Sequence, residues 1–112
     1  MLMMLLFWGC TRNVDGWDSF VREQATAQCL VYKSCHRSLF DGEYETMSRC
    51  EEEMMEYWVE FQEEFYASCE FLPDQGQNCL NRMYDSTCGE HWNEQASIYQ
   101  SCHDELWTCS VE

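Results

Sequence analysis

Nine cysteines divide into one plus eight, and this division constrains the fold more than any other feature of the chain. Cys10 stands alone at the end of an uncharged apolar leader, residues 1–9, and the chain becomes polar immediately after it. The others form an even set, as four disulfides in an oxidising compartment require. They are Cys29, Cys35, Cys50, Cys69, Cys79, Cys88, Cys102 and Cys109. The sequence therefore predicts a disulfide-rich domain.

The junction at Gly9-Cys10 indicates a bacterial lipoprotein signal, which is cut before a cysteine that then carries lipid. Nine apolar residues cannot span about 30 Å of hydrocarbon, so the leader is not a transmembrane helix. It also lacks the basic residues that open most signal peptides. Either the true start lies upstream, or the segment is the end of an ordinary signal peptide and Cys10 has another fate. We expect a signal-like leader over 1–9, a tether over 10–16 and a disulfide-rich helical domain over 17–109.

Charge and composition narrow the possible partners and folds. The 112 residues suit one domain, and 21 acidic against six basic residues give a formal net charge of −15. This acidity argues against nucleic acid or an anionic membrane surface as a direct partner, because both attract Lys and Arg. One proline and five glycines are few for a loop-rich scaffold, so the composition favours long helices held by disulfides.

Apolar residues recur at helical spacing through four segments, and no segment has the two-residue period of a strand. The first segment covers 17–39, can open at residues 15–16, and precedes a turn at Asp41-Gly42. The third begins at Pro73 and stops at 88–89, and Asn93 can cap the fourth. The inward residues of the fourth are Ala96, Tyr99, Cys102 and Leu106. The predicted fold is all-α, a small disulfide-stapled bundle of about four helices.

The second helix has the clearest pattern, with one apolar and one acidic face. Its inward stripe consists of Met47, Cys50, Met54, Trp58, Phe61, Phe65 and Cys69. Its outward face consists of Glu51, Glu52, Glu53, Glu56, Glu60, Glu63 and Glu64. Like charges one turn apart cost about 0.2–0.5 kcal/mol per pair, so packing must stabilise this helix. We expect it to be the longest helix, unbroken from Met47 to Cys69, and antiparallel to the helix that carries Cys29 and Cys35.

Helix geometry excludes two disulfide pairings. Cys29 and Cys35 lie six residues apart, about 9 Å along a helix, and Cys102 and Cys109 lie seven apart, about 10.5 Å. Bridged Cα atoms are separated by at most about 6.8 Å, so neither pair should close on itself.

Two antiparallel hairpins predict the remaining pairings. A turn near Asp41-Gly42 places Cys35 opposite Cys50, and a turn near Pro73-Asp74 places Cys69 opposite Cys79. The last four cysteines then allow two arrangements. We favour Cys29–Cys109 with Cys88–Cys102, and the alternative is Cys29–Cys102 with Cys88–Cys109.

Three further segments accompany the Gly9-Cys10 junction. They are the helical stretch 27–35 with its two cysteines, Cys69-Glu70-Phe71-Leu72-Pro73-Asp74, and the run from Gln77-Asn78-Cys79-Leu80 to Asp85-Ser86-Thr87-Cys88. Together they make the chain resemble a set of small cysteine-rich lipoproteins of myxobacteria and related deltaproteobacteria, over most of residues 10–109. The resemblance implies a lipid-anchored location and a helical architecture. It implies no activity and no site residues.

No motif predicts catalysis, metal binding or a cofactor. Cys35-His36 and Cys102-His103 lack the Cys-x-x-Cys and His-x-x-x-His spacings of metal and redox sites, and exported thiols oxidise. Glu51-Glu52-Glu53 has no EF-hand loop. Neither a Gly-x-Ser-x-Gly motif nor a phosphate-binding glycine loop is present. We expect no metal and no enzymatic activity, and we regard Trp8, Trp92 and Trp107 as candidates for an aromatic partner surface.

Two function classes follow. The first is a non-enzymatic, lipid-anchored protein of the bacterial cell envelope with a structural or protein-binding role, attached to the membrane through lipid on Cys10. The second is a freely secreted, extracellular disulfide-rich effector, similar to a toxin or an inhibitor. The mature N-terminus distinguishes them, because only the first class carries an acylated Cys10.

Overall fold

The computed structural model describes residues 13–85, 88, 102 and 105–109. Its elements are α1 (Trp17–Cys35), α2 (Arg37–Glu43), α3 (Met47–Phe65), β1 (Cys69–Phe71), α4 (Pro73–Asp85) and β2 (Trp107–Cys109). The predicted class, a small all-α domain held by disulfides, is confirmed. The helix predicted from Asn93 lies outside the described residues, but Cys102 and Leu106 are buried. None of the helices seen here has the length and apolar composition needed to cross a bilayer.

Helix α1 begins where the sequence predicted and ends earlier. Gly16 is its N-cap, and Ser19 Oγ accepts hydrogen bonds from the Asp15 and Gly16 N–H groups at 3.0 and 3.2 Å. A side chain at the third helical position that accepts from the cap backbone is a common start signal. At the other end His36 leaves helical geometry (φ −138°, ψ 61°). Leu39, the last residue of the first predicted segment, is therefore on α2 and is 54% exposed.

The reversal between the first two long helices lies beyond the predicted turn. Asp41-Gly42 is inside α2, and the chain turns over residues 44–46 instead. Glu45 has a φ of 70°, a left-handed conformation that few non-glycine residues adopt. Thr46 then caps α3, because its Oγ1 accepts a hydrogen bond from the Arg49 N–H at 3.2 Å.

Helices α1 and α3 pack antiparallel, as predicted. Cys29, late in α1, is bonded to Cys50, early in α3. Trp17, at the start of α1, contacts Trp58 in the second half of α3, with ring centroids 6.5 Å apart. Helix α3 ends at Phe65 and not at Cys69, so it has 19 residues, the same length as α1. The prediction that it is the longest helix was wrong.

Val14 extends the core beyond the predicted domain start. It is 8% exposed, and its N–H donates a hydrogen bond to Gln77 Oε1 at 2.8 Å. It packs beside Gly76 on α4, where an added Cβ would lie 3.1 Å from Val14 Cγ1 and 2.6 Å from Phe71 Cζ. The glycine thus lets these side chains approach α4 closely. The folded domain includes Val14, and the expectation that 10–16 is all tether was wrong.

Two short strands, one before α4 and one after it, form a small sheet. Strands β1 and β2 are antiparallel, with Cys69 opposite Cys109 and Phe71 opposite Trp107. The Leu72 N–H extends the pairing by donating to the Leu106 carbonyl at 2.7 Å. Three residues per strand are too few to show a two-residue period in the sequence. The prediction of no strand was therefore wrong at these two segments.

All eight cysteines of the described domain lie in four disulfides, with a connectivity that differs from the predicted one. The pairs are Cys29–Cys50, Cys35–Cys88, Cys69–Cys109 and Cys79–Cys102. The predicted pairs Cys35–Cys50 and Cys69–Cys79 were wrong. So were both arrangements proposed for the remaining four, namely Cys29–Cys109 with Cys88–Cys102 and Cys29–Cys102 with Cys88–Cys109.

The errors in pairing have local causes. Helix α2 folds back over the end of α1, so that Phe40 and Tyr44 cluster with the buried Cys29–Cys50 disulfide. Cys50 therefore lies opposite Cys29, which precedes Cys35 by six residues on α1. Cys69 leaves the helical stripe because α3 stops at Phe65.

Two buried glutamines on α1 differ in their hydrogen bonding. Gln28 is 3% exposed, and its Oε1 accepts a hydrogen bond from Trp58 Nε1 at 2.8 Å. Gln24, one turn earlier and fully buried, has no hydrogen-bond partner for either amide atom among the described residues. A buried amide without a partner lowers stability, whereas a buried bonded one is nearly neutral.

Substituting these glutamines should change stability in opposite directions. Gln24→Met is expected to raise the free energy of unfolding by about 1–3 kcal/mol, because it removes the unsatisfied amide at similar volume. Gln28→Met should lower it by about 1–3 kcal/mol, because Trp58 Nε1 loses its acceptor. Urea denaturation followed by circular dichroism measures both. Changes of the same sign would contradict this assignment.

Candidate functional site

The predicted site residues do not assemble into a reactive centre. Cys10, His103, Trp8 and Trp92 lie outside the described residues. Trp107 is 9% exposed and belongs to the core, so it does not form the expected surface patch. Glu51 Oε2 accepts a hydrogen bond from Thr26 Oγ1 at 3.0 Å. Over 13–85, 88, 102 and 105–109, no three His, Cys, Asp or Glu side chains are grouped to hold a metal.

Two open depressions lie beside disulfides. One has a volume of about 470 Å³ and is lined by Ser68, Cys69, Glu70, Thr108 and Cys109. The other has a volume of about 350 Å³ and is lined by Leu30, Val31, Ser34, Cys35, Tyr84 and Cys88. Each lining has one titratable side chain, Glu70 or Tyr84, because the cysteines are bridged. Neither lining places a general acid next to a general base.

The second half of α3 presents a row of aromatic side chains, which we call the aromatic row: Tyr57, Phe61 and Phe65. Tyr57 is 41% exposed and Phe65 is 61% exposed, while Phe61 is half-buried between them. The Tyr57 and Phe61 rings stack with centroids 6.1 Å apart, and those of Phe61 and Phe65 are 5.1 Å apart. Residues four apart share a helix face, so the rings form one continuous strip.

The aromatic row is joined to the core through its middle ring. Phe61 contacts Tyr66 with ring centroids 5.5 Å apart. Tyr66 stacks almost parallel on Trp107 at 5.0 Å, with 10° between the ring planes. Since Trp107 is part of the buried core, these contacts connect the aromatic row to the core. Rigid aromatic side chains offer large contact area with little loss of conformational entropy on binding.

The exposure of Phe65 corrects the prediction that it faces the core. The apolar stripe of α3 continues past the point where α1 begins, and Trp17, the first residue of α1, reaches Trp58. One turn further along α3, Phe61 is still half-buried, and at the next turn Phe65 is mostly in solvent. The sequence pattern identified the face, but it contained no signal for where the opposing helix stops.

A second row, the acidic row, runs beside the aromatic row and consists of Glu53, Glu60 and Glu64. All three carboxylates are exposed. Glu53 and Glu60 lie one turn from Tyr57, and Glu64 lies three residues beyond Phe61, so each pair shares a face of the helix. Carboxylates therefore border the aromatic rings along one edge.

The charge of this surface is uncompensated within the part of the chain that the structure describes. Helix α3 has seven glutamates and a single basic residue, Arg49. The ion pairs found among the described residues are Arg37–Asp41 and Arg82–Glu105, both away from α3. The acidic row therefore has no salt bridge from these residues, and its carboxylates face solvent.

Burial raises the pKa of the Tyr57 phenol above its usual value of 10. Transfer from water penalises the phenolate, so the ring stays neutral at physiological pH. The same cause comes first at Tyr32 and Tyr44, where Glu43 raises the pKa further. The negative charge of the α3 surface thus comes from its carboxylates, and the aromatic row contributes neutral rings.

The fold and this surface define a small disulfide-stapled helical domain with an exposed aromatic and acidic face. Comparison of the chain with protein-family models, with curated proteins and with solved structures gave no match. Any statement about its role therefore depends on the chemistry of its own residues.

Proposed function

We propose that the chain is a non-enzymatic, lipid-anchored protein of the bacterial cell envelope whose domain binds a protein partner. The observation that carries the proposal is that Cys10 is the one cysteine of the sequence outside the four disulfides. The four disulfides use every other cysteine of the sequence. Cys10 has no thiol left to pair with inside this domain, and it follows an apolar leader and a glycine, where a lipidated cysteine is expected.

The disulfides support an extracytoplasmic location. Small domains with several structural disulfides occur mainly in exported proteins, because cytosolic thiols are kept reduced. The resemblance to cysteine-rich lipoproteins agrees with the same compartment.

The start of the folded domain supports a short anchor. Val14 is already packed in the core, so residues 11–13 alone separate it from Cys10. Four extended residue spacings cover at most about 14 Å. A lipid on Cys10 would therefore hold the domain beside the bilayer. The net charge of −15 opposes direct adsorption to anionic lipid, so the anchor would supply the membrane contact.

Lipidation of Cys10 is tested in bacteria that express the full chain. We expect the protein in the membrane fraction, with a thioether-linked lipid on Cys10 identified by mass spectrometry of the N-terminal peptide. Cys10→Ala should release the protein or block its maturation, because alanine has no thiol to carry the lipid that holds the chain at the membrane. Thr11→Ala, the neighbouring control, should keep the lipid. A mature N-terminus elsewhere with unmodified Cys10 would contradict the anchor and favour the secreted effector.

The aromatic row supports the binding part of the proposal. Exposed aromatic side chains next to one another are enriched at the centres of protein interfaces, whereas single exposed apolar residues are common on any protein. The row joins Tyr57, Phe61 and Phe65 through direct ring contacts. By contrast, Leu39 is an exposed apolar residue on the separate helix α2.

A further inference from the structure

We propose that the aromatic row and the acidic row form one site that binds an arginine-rich segment of a protein partner. The inference rests on the protein-binding role proposed above and adds the chemistry of the partner. Tyr57 is 41% exposed and Phe65 is 61% exposed, and Glu60 and Glu64 supply exposed carboxylates along the same stretch of α3.

The spacing of the two rows matches the guanidinium group. Arginine can stack on an aromatic ring and donate two parallel hydrogen bonds to a carboxylate at the same time, because its guanidinium is planar and has five N–H donors. Phe61 and Glu64 are three residues apart on one helix face, and Tyr57 and Glu60 repeat this spacing one turn earlier. The earlier combination is the accessible one, because Tyr57 is 41% exposed, whereas Phe61 is half-buried with another ring on either side.

Charge complementarity favours a cationic occupant. Glu56, Glu60 and Glu64 are like charges at four-residue spacing, and each such pair destabilises a helix by about 0.2–0.5 kcal/mol. Among the described residues no cation pairs with them. A bound arginine segment would remove this repulsion, and the net charge of −15 would speed its approach.

The same charge argues against a lipid surface as the occupant. Aromatic side chains enter membrane interfaces readily, but anionic headgroups repel carboxylates placed beside them. Glu60 and Glu64 are exposed and lie beside the aromatic row on α3. We therefore assign the site to a basic protein segment and treat binding to a membrane as a competing outcome.

The test uses the full chain with Cys10→Ala, so that no lipid is attached and the result does not depend on the anchor. The probe is a fluorescein-labelled dodecapeptide of alternating arginine and glycine, and binding is measured by fluorescence anisotropy. We expect saturable binding, with several-fold weaker binding of the lysine–glycine peptide. Measurement at physiological salt matters, because charges more than about 8 Å apart are then largely screened.

Matched variants locate the site. Phe65→Ser should weaken binding about two- to fivefold, from the usual strength of exposed cation–π contacts, whereas Leu39→Ser, at another exposed apolar residue, should have no effect. Glu60→Gln with Glu64→Gln should weaken binding about three- to tenfold. Glu43→Gln with Glu70→Gln removes the same charge at exposed positions of α2 and β1, away from α3, and should change binding less than twofold. Phe65→Tyr keeps the ring and should restore binding.

Three results would overturn the proposal. The first is equal weakening by the two glutamate pairs, which would show attraction by net charge without a site. The second is unchanged binding in Phe65→Ser. The third is sedimentation of the chain with vesicles of phosphatidylethanolamine and phosphatidylglycerol, lost in Phe65→Ser, which would make this surface a membrane contact. None of these results bears on the lipid at Cys10, so a failure here is separable from a failure of the anchor.

Discussion

Trp58→Ala is expected to lower the free energy of unfolding by about 3–5 kcal/mol, the range for removal of a buried aromatic side chain. Trp58 is fully buried. Its ring contacts Phe20 at 5.3 Å and Trp17 at 6.5 Å between centroids. Substitution also leaves Gln28 Oε1 without its Nε1 donor. Because small domains are stable by only about 5–15 kcal/mol, the variant should be close to unfolding.

The neighbouring residue is the control for this substitution. Val59→Ala, on the exposed side of the same turn, should change stability by less than about 1 kcal/mol. Urea denaturation followed by far-ultraviolet circular dichroism reports both variants without depending on tryptophan fluorescence. A loss below about 1 kcal/mol for Trp58→Ala would mean that the inward face of α3 is assigned incorrectly.

Removal of the Cys29–Cys50 disulfide should have an effect of similar size. Cys29→Ala with Cys50→Ala is expected to cost about 3–5 kcal/mol, because a bridge across 21 residues restricts the unfolded chain. Both cysteines are buried with Phe40 and Tyr44, so the variant also loses packing in this smaller cluster. The expected structural consequence is that α2 detaches from the end of α1.

The Cys69–Cys109 disulfide provides the matched comparison. It joins two strands of three residues, and its cysteines are partly or fully exposed. Cys69→Ala with Cys109→Ala should lose more chain restriction by about 0.6 kcal/mol, because its bridge spans 40 residues instead of 21. It should lose little packing, so we still expect it to be less destabilised than the Cys29–Cys50 variant, whose buried cysteines lose core contacts. Thermal and urea unfolding measure the difference. If the Cys69–Cys109 variant were the less stable of the two, the cluster around Cys29 and Cys50 would contribute little to the stability of the domain.

In the native chain, alkylation without reduction should label none of the eight cysteines that form the four disulfides.

Local patterns in the sequence predicted the helices well where a partner covers them. The stripe through Cys50, Met54 and Trp58 faces α1, and Pro73 begins α4 as expected. The pattern failed at Phe65, because an apolar residue at helical spacing looks the same whether or not another helix lies opposite. The aromatic row was missed for this reason. The signal that could have revealed the aromatic row is that the apolar stripe of α3 extends past the end of the helix that covers it, α1.

Disulfide pairing was unpredictable because it depends on distant geometry. Pairing by hairpin turns needs the position of each reversal, and the short helix α2 moved the first reversal from Asp41-Gly42 to 44–46. Cys69 and Cys109 meet on strands too short to be seen in the sequence. Val14 was assigned to the tether because one apolar residue between polar neighbours shows no period.

The four disulfides interlace, and this gives the domain a property that no single bridge provides. Cys29–Cys50 overlaps Cys35–Cys88 along the chain, and Cys35–Cys88 overlaps both Cys69–Cys109 and Cys79–Cys102. Every peptide bond between Cys29 and Cys109 is therefore spanned by at least one bridge. A protease that cuts once anywhere in this interval leaves two pieces still joined covalently. Such a nicked domain keeps all its parts together until its disulfides are reduced, an advantage where hydrolases are abundant and replacement is slow.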